Sequence, residues 1–272
     1  MYAFEYQRAS SLAQASAGLA ADAEAKLLAG GMTVLPSMKH RLMAPTQLID
    51  IAKLSELRGV KLSQSASGDS VTVGAAMRHC EVADSAEIGG AIGALSYLAG
   101  QIGDTQVRAR GTLGGSLANN DPTADYPAAV LGLDAAVLTN QREIAAGDFF
   151  KCMFSTALAA DEIITAVRFA VPRRAAYAKF AQAASGYAMT GVMIADFGGS
   201  IRVAVTGAGP CVFRWTEAEQ ALEKSLTVAS LQNLSYPTDD LTADIHAPAA
   251  YRAQLMKVMA KQALSTLLAQ KI

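Results

Sequence analysis

The spacing of apolar and polar positions changes several times along the chain, and each change marks a predicted element. Ser10 to Ala25 is rich in Ala and Leu, opens on Ser10-Ser11 and carries Asp22 and Glu24, the pattern of a surface helix with a serine cap. Lys26-Leu27-Leu28-Ala29 is an apolar run that stops at Gly30-Gly31, which predicts a buried strand ending in a tight loop. Leu48-Ile49-Asp50-Ile51 predicts a second strand, and the β-branched Val71-Thr72-Val73-Gly74 a third. Ile88 to Ile102 is apolar with small residues at helical spacing, so a helix is expected there. Further on, Tyr187 to Ala195 and Ser200 to Thr206, joined by Phe197-Gly198-Gly199, predict a hairpin. The tail returns to three- and four-residue spacing over Glu217 to Leu226 and Pro248 to Gln270, two helices. The alternation suggests α/β or α+β lobes with boundaries near residues 55 and 175, and there is no repeat of fixed period.

Composition narrows the classes. With 272 residues, 51% of them apolar and 17% charged, the chain has a folded protein's balance. A net charge of −1 with scattered Lys and Arg gives no footprint for a phosphate backbone, so nucleic acid is not an expected partner. Cys80, Cys152 and Cys211 form no C-x-x-C pair, so local spacing builds neither a zinc site nor an iron-sulfur cluster; they are expected to be reduced, structural thiols. The first residues lack a charged segment followed by an apolar one, and no run of about 18 apolar residues occurs, so the expectation is a cytoplasmic protein with no integral membrane segment.

Candidate chemistry concentrates at glycine. Glycine after a strand lets main-chain N–H groups approach a ligand with no Cβ in the way, and consecutive N–H groups hold anions. A Gly-Gly pair alone says little, because turns use them too, and four occur: Gly30-Gly31, Gly89-Gly90, Gly114-Gly115 and Gly198-Gly199. The third is more informative, since Gly111-Thr112-Leu113-Gly114-Gly115-Ser116 is followed by Asn119-Asn120-Asp121-Pro122 and Asp125, small and polar groups suited to binding. The bland alternative is a polar loop capping a helix that begins near Pro122, with Asp121 as its cap. No phosphate-loop motif exists, and Gly207-Ala208-Gly209 has Val212 where a dinucleotide fingerprint needs its third glycine. His40, His79 and His246 lack metal-ligand spacing and read as surface or capping residues; Asp161-Glu162 and Asp239-Asp240 read as solvated turns. No catalytic or metal-binding residue is assigned.

Taken together, Ala29-Gly30-Gly31-Met32-Thr33-Val34-Leu35-Pro36 and Gln106-Val107-Arg108-Ala109-Arg110-Gly111-Thr112-Leu113-Gly114-Gly115-Ser116 resemble the FAD-binding medium subunit of the molybdenum hydroxylases, the carbon monoxide dehydrogenase and xanthine dehydrogenase family. The likeness continues through Asp161-Glu162-Ile163-Ile164, Gly186-Tyr187-Ala188, Gly207-Ala208-Gly209-Pro210 and Asp244-Ile245-His246 to Tyr251-Arg252, nearly the whole chain. The resemblance implies an α+β fold: a two-lobed FAD-binding domain of the vanillyl-alcohol oxidase-like (PCMH) type over 1–175, with lobes of about 1–55 and 56–175, then a small C-terminal domain over 176–272 with an antiparallel sheet and helices. It implies that Ala29, Gly30, Gly31, Met32, Thr33, Val34 and Leu35, with Thr112, Gly114, Gly115 and Ser116, hold the FAD pyrophosphate. Asn119 and Asp125 match positions near the adenosine and ribitol, Ile164 and Lys179 match positions lining the cofactor, and Tyr187 matches an aromatic beside the isoalloxazine ring, its alternative being a strand residue packed in the core.

The implied partners are a large molybdenum-cofactor subunit and a small subunit carrying [2Fe-2S] clusters, assembled as a dimer of heterotrimers. This chain is then an electron outlet, collecting electrons on FAD for NAD⁺, a quinone or another acceptor. Relatives commonly carry His or Gln followed by Ser where this chain has Met32-Thr33, so a thioether replaces a polar group there. Two other readings stay open on the residues alone: a stand-alone FAD-dependent oxidase or reductase, and an apo relative serving as an assembly scaffold.

Overall fold

The computed structural model describes residues 1–66 and 68–270. At the N-terminus, β1 (Glu5–Arg8), α1 (Leu12–Ala21), β2 (Lys26–Leu28), α2 (Val34–Lys39) and β3 (Gln47–Asp50) form a three-stranded parallel sheet in the order β1-β3-β2. Ser11 caps α1 as expected, its hydroxyl accepting from the Gln14 N–H. The strand at Lys26 is present but is not buried: it is an edge strand, with Lys26 exposed and Leu27 and Leu28 half-buried, while the central β3 buries Leu48 and Ile49. Parallel strands place their carboxyl ends on one side of the sheet, and the glycine loop Ala29–Thr33 leaves that side to enter α2.

The next sheet is antiparallel. β4 (Val60–Ser63), β5 (Ser70–Gly74), β6 (Ala136–Thr139) and β7 (Glu143–Ala145), followed by the separate hairpin β8 (Phe150–Cys152) and β9 (Ser155–Thr156) and by β10 (Ile164–Ala170), give the order β4-β5-β10-β6-β7. Between β5 and β6 lie α3 (His79–Asp84), α4 (Ala86–Ala91), α5 (Gly93–Gly100), α6 (Thr105–Arg110), α7 (Leu113–Asn119) and α8 (Tyr126–Gly132), with α9 (Ala146–Phe149) after β7. The helix expected over Ile88 to Ile102 is thus two: the Ile92 N–H closes α4 on the Ile88 carbonyl, and the glycines at 89, 90 and 93 give the segment little intrinsic hold on one straight helix. The helix expected from Pro122 starts at Tyr126 instead, because Asp121 is spent on a turn, accepting from the N–H and hydroxyl of Thr123.

The last unit is the antiparallel sheet β11 (Arg174–Ala181), β12 (Ala188–Asp196), β13 (Ile201–Thr206) and β14 (Phe213–Arg214), backed by α10 (Thr216–Lys224) and α11 (Ala249–Leu268). The continuous apolar run of β12 follows from burial on both faces. Met193 and Ala195 join the core shared with α7, α8 and β10, whereas Val192 and Ile194 face Met256, Ala260 and Leu264 of α11. The sheet is therefore welded to the preceding one, and the architecture is α+β. Among the described residues no helix is long and apolar enough to cross a membrane, and no cluster of His, Cys, Asp and Glu is placed to hold a metal ion.

Candidate functional site

The first loop is a row of donors without acceptors. The amides of Gly30, Gly31, Met32, Thr33 and Val34 make no backbone or side-chain hydrogen bond among the described residues; the first N–H of this stretch to donate is that of Leu35, to the Gly31 carbonyl at 3.2 Å. Met32 and Thr33 are exposed, and Thr33 stands at the start of α2 without capping it through its hydroxyl. Unpaired amides beside exposed residues suit an anion supplied from outside.

The second stretch is built differently. Leu113-Gly114-Gly115-Ser116 is not a loop but the first turn of α7, capped by the Thr112 hydroxyl, which accepts from the Gly115 N–H at 3.2 Å. Leu113 and Gly114 donate inward to the carbonyls of Met77 and Ala75 at 3.0 and 2.8 Å. Gly114 is needed for that close approach, since a Cβ would stand 2.7 Å from the Ala75 Cβ. What the second stretch offers a ligand is the Thr112 N–H, the exposed Gly115 and the half-exposed Ser116, with Asn119 one turn further on, its side-chain amide making no hydrogen bond among the described residues.

The fold brings the two stretches into contact. A Cβ on Gly30 would lie 2.2 Å from the Arg110 carbonyl oxygen and 2.8 Å from the Gly111 Cα. Only hydrogen at that position lets the unpaired amides of the first loop abut the segment that enters Thr112. Arg108 is held away, its guanidinium donating to the carbonyls of Ile102 and Gly103 at 3.0 Å each, while Arg110 is exposed with no partner among the described residues.

Beyond α7 a buried polar cluster follows. Asp125 accepts from the Tyr177 hydroxyl at 2.7 Å and from Lys179, whose ammonium approaches Oδ1 at 2.9 Å and donates to the carbonyls of Gln101 and Gly186 at 2.7 and 2.8 Å. Burial pushes the Asp125 carboxyl up, against the pull of the Lys179 ammonium and the Tyr177 hydroxyl. Lys179 has all three protons placed on protein oxygens, and it pins the connection between β11 and β12 to the end of α5. That connection presents Tyr187, half-exposed and with no ring partner among the described residues, and burial beside Asp121 and Asp125 raises its hydroxyl. Ile164 begins β10 inside the core, anchored through Glu162, whose buried carboxylate is not a solvated turn group but takes two bonds from Arg142 at 3.0 and 2.9 Å. Those bonds hold the Glu162 carboxyl down at about 2.

Several structural partners carry no local sequence signal. Tyr177 lies in a strand, and its role depends on meeting Asp125. Arg252 reaches from α11 to the carbonyls of Met189 and Gly207 at 2.8 and 2.7 Å, fixing the start of β12 beside Tyr187. His79 is not at the surface: it is buried under Gly111, with Nδ1 unpartnered among the described residues and its ring 5.3 Å from that of Tyr126.

Burial, with Arg108 nearby, lowers the His79 imidazole to about 4, so it is neutral in the fold, whereas an unfolded chain takes up a proton near pH 6.5. The stability this supplies is complete above about pH 6.5 and is lost as pH falls towards about 4. Between pH 7.5 and pH 5 the wild-type protein is expected to lose about 2 kcal/mol that His79→Gln does not, a window above the one in which Glu162 titrates. Denaturant midpoints at the two pH values check this; equal losses in both proteins would refute it.

The domain described as "FAD binding domain in molybdopterin dehydrogenase" matches residues 2–173. The chain is 31% identical to the nicotine 6-hydroxylase medium subunit of Paenarthrobacter nicotinovorans, over 96% of each chain. It is 31% identical to the carbon monoxide dehydrogenase medium chain of Hydrogenophaga pseudoflava, again over 96% of each. A chain of the reconstituted CO dehydrogenase from Oligotropha carboxidovorans superposes with a TM-score of 0.87 at 29% identity, covering 99% of both.

Proposed function

We propose, for a chain that belongs to the FAD-binding medium subunits of the molybdenum hydroxylases, that the loop Ala29–Leu35 and the turn Thr112–Ser116 hold the FAD pyrophosphate between them. The chain is the flavoprotein subunit of a multi-subunit oxidoreductase, with the molybdenum cofactor on a large partner chain and iron-sulfur clusters on a small one. Bound FAD supplies the redox chemistry that passes electrons from those clusters to an external acceptor.

The observation that carries the assignment is the contact of Gly30 with the Arg110–Gly111 backbone, which sets a row of unpaired amides beside Thr112. The residues fit the group, because a pyrophosphate needs several N–H donors and this stretch has donors with no acceptor among the described residues. Ser116 joins them on the pyrophosphate, and Asn119 and Asp125 stand near the adenosine and ribitol parts of the cofactor. Asp125 and Lys179 serve mainly by neutralising each other and fixing the segment that carries Tyr187, which lies beside the isoalloxazine ring. Ile164 lines the cofactor from the core side. Residues 1–175 form the FAD-binding part and 176–272 a C-terminal part that closes the flavin end. The complex is a dimer of heterotrimers, and the free thiols of Cys80, Cys152 and Cys211 favour a reducing, cytoplasmic setting.

Titrating flavin-stripped protein with FAD and with FMN tests the assignment, since FMN has the ring and one phosphate but no pyrophosphate. FAD is expected to bind at least ~100-fold more tightly, a difference of about 2.7 kcal/mol. Equal affinities would remove the pyrophosphate from the loops.

A further inference from the structure

The end of α7 holds an arrangement that flavin binding does not use. Asn120 is buried, adopts a left-handed backbone (φ 43°) and directs its amide Nδ2 at three groups: the carbonyl oxygens of Cys152 and Ser155 at 2.8 and 2.7 Å and the Cys211 Sγ at 3.8 Å. Its own carbonyl accepts from the Phe154 N–H at 3.0 Å. One side chain thus clamps the tip of the β8–β9 hairpin, where Cys152 pairs with Ser155, and also touches a thiol on the loop that follows β13. Because Cys152 O and Cys211 Sγ both contact one nitrogen, the two cysteines are neighbours despite their separation in sequence. They differ in access: Cys152 is exposed, and Cys211 is half-buried against the core, where burial pushes its thiol up. Cys80 sits on α3, outside this cluster.

From this geometry we propose that Cys152 and Cys211 are a modification site, forming a reversible disulfide when the protein meets hydrogen peroxide. The exposed thiol reacts first. The Cys152 thiolate attacks one peroxide oxygen, the O–O bond breaks, and the departing hydroxide takes up a proton to leave as water, so that Cys152 becomes a sulfenic acid. The Cys211 thiolate then attacks the Cys152 sulfur; the S–S bond forms, the S–O bond breaks, and a second water leaves. Two thiols have given up two electrons and one peroxide has accepted them. A dithiol reductant returns both to thiols by exchange. The bond requires sulfur atoms at about 2 Å and Cβ atoms near 4 Å, a closure for which the hairpin tip, where Met153 and Phe154 are exposed, must release its hydrogen bonds to Asn120. The disulfide stitches the hairpin to the Gly207–Val212 loop and replaces the amide contact on Cys211.

The test uses the assembled complex, reduced and freed of reductant, exposed to hydrogen peroxide and then alkylated and mapped by mass spectrometry. Alkylatable thiols on this chain are expected to fall from the three present to Cys80 alone. The oxidised digest contains a Cys152–Cys211 linked peptide that vanishes on adding dithiothreitol. In Cys211→Ser the Cys152 sulfenic acid accumulates and is trapped by a dione reagent, whereas Cys80→Ser oxidises as wild type does. Recovery of Cys152 as sulfinic acid with Cys211 still alkylatable, or of Cys152 linked to any other cysteine, overturns the proposal on the wild-type protein alone.

Discussion

Gly30→Ala is expected to yield a chain that has lost its FAD. The added methyl would stand 2.2 Å from the Arg110 carbonyl oxygen and 2.8 Å from the Gly111 Cα, and both obstacles are backbone. No side chain can swing aside, so the two stretches must part by an ångström or more. That movement costs on the order of 1–3 kcal/mol of stability by overpacking. It also separates the amides of residues 30–34 from Thr112. Because both sides must grip one rigid pyrophosphate, FAD affinity is expected to fall at least ~100-fold, about 2.7 kcal/mol. The ratio of flavin to protein absorbance after gel filtration reads the effect. Gly90→Ala is the control: nothing lies within 4 Å of its Cβ, and a helical Gly→Ala change gains roughly 0.5–1 kcal/mol. Full flavin content in Gly30→Ala would mean that the contact between the two stretches is not what holds the cofactor.

Lys179→Met is expected to be the most destabilising single change near the site. Its ammonium satisfies Asp125, Gln101 O and Gly186 O at once, and both Lys179 and Asp125 side chains are nearly sealed from water. Removing one partner of a buried ion pair leaves the other charge uncompensated, a loss of about 3–5 kcal/mol. Adding Asp125→Asn removes that stranded charge, so the double variant is expected to recover part of the loss, and non-additivity is the signature. The segment carrying Tyr187 loosens in both proteins because Gly186 O has lost its donor. Thermal melts read the stability, and hydrogen exchange at residues 182–187 reads the loosening. A cost below about 1 kcal/mol for Lys179→Met would show that Lys179 and Asp125 do not depend on each other in the folded chain.

Much of the fold was legible because its signals are local. The serine cap at Ser11, the two runs joined by Phe197-Gly198-Gly199 and the three- and four-residue spacing of the last two helices each lie within a few residues, and each element formed near its expected bounds. The sequence by itself therefore determined the elements, the class of fold and, through a chain-long likeness, the cofactor.

The relations between elements were decided only by the tertiary structure. Gly30-Gly31 and Gly114-Gly115 look alike as sequence, yet the amides of one make no hydrogen bond among the described residues and the other spends its amides on Thr112 and Ala75. His79 looked like a surface histidine and Glu162 like a turn residue, but chain crossings bury the first under Gly111 and close Arg142 over the second. Lys179 and Asp125, far apart in sequence, meet as one buried ion pair. The physical reason is common to all of these. Whether a donor is free, a carboxylate paired or a glycine obligatory depends on which atoms arrive from distant parts of the chain, and period and local propensity carry no record of that arrival.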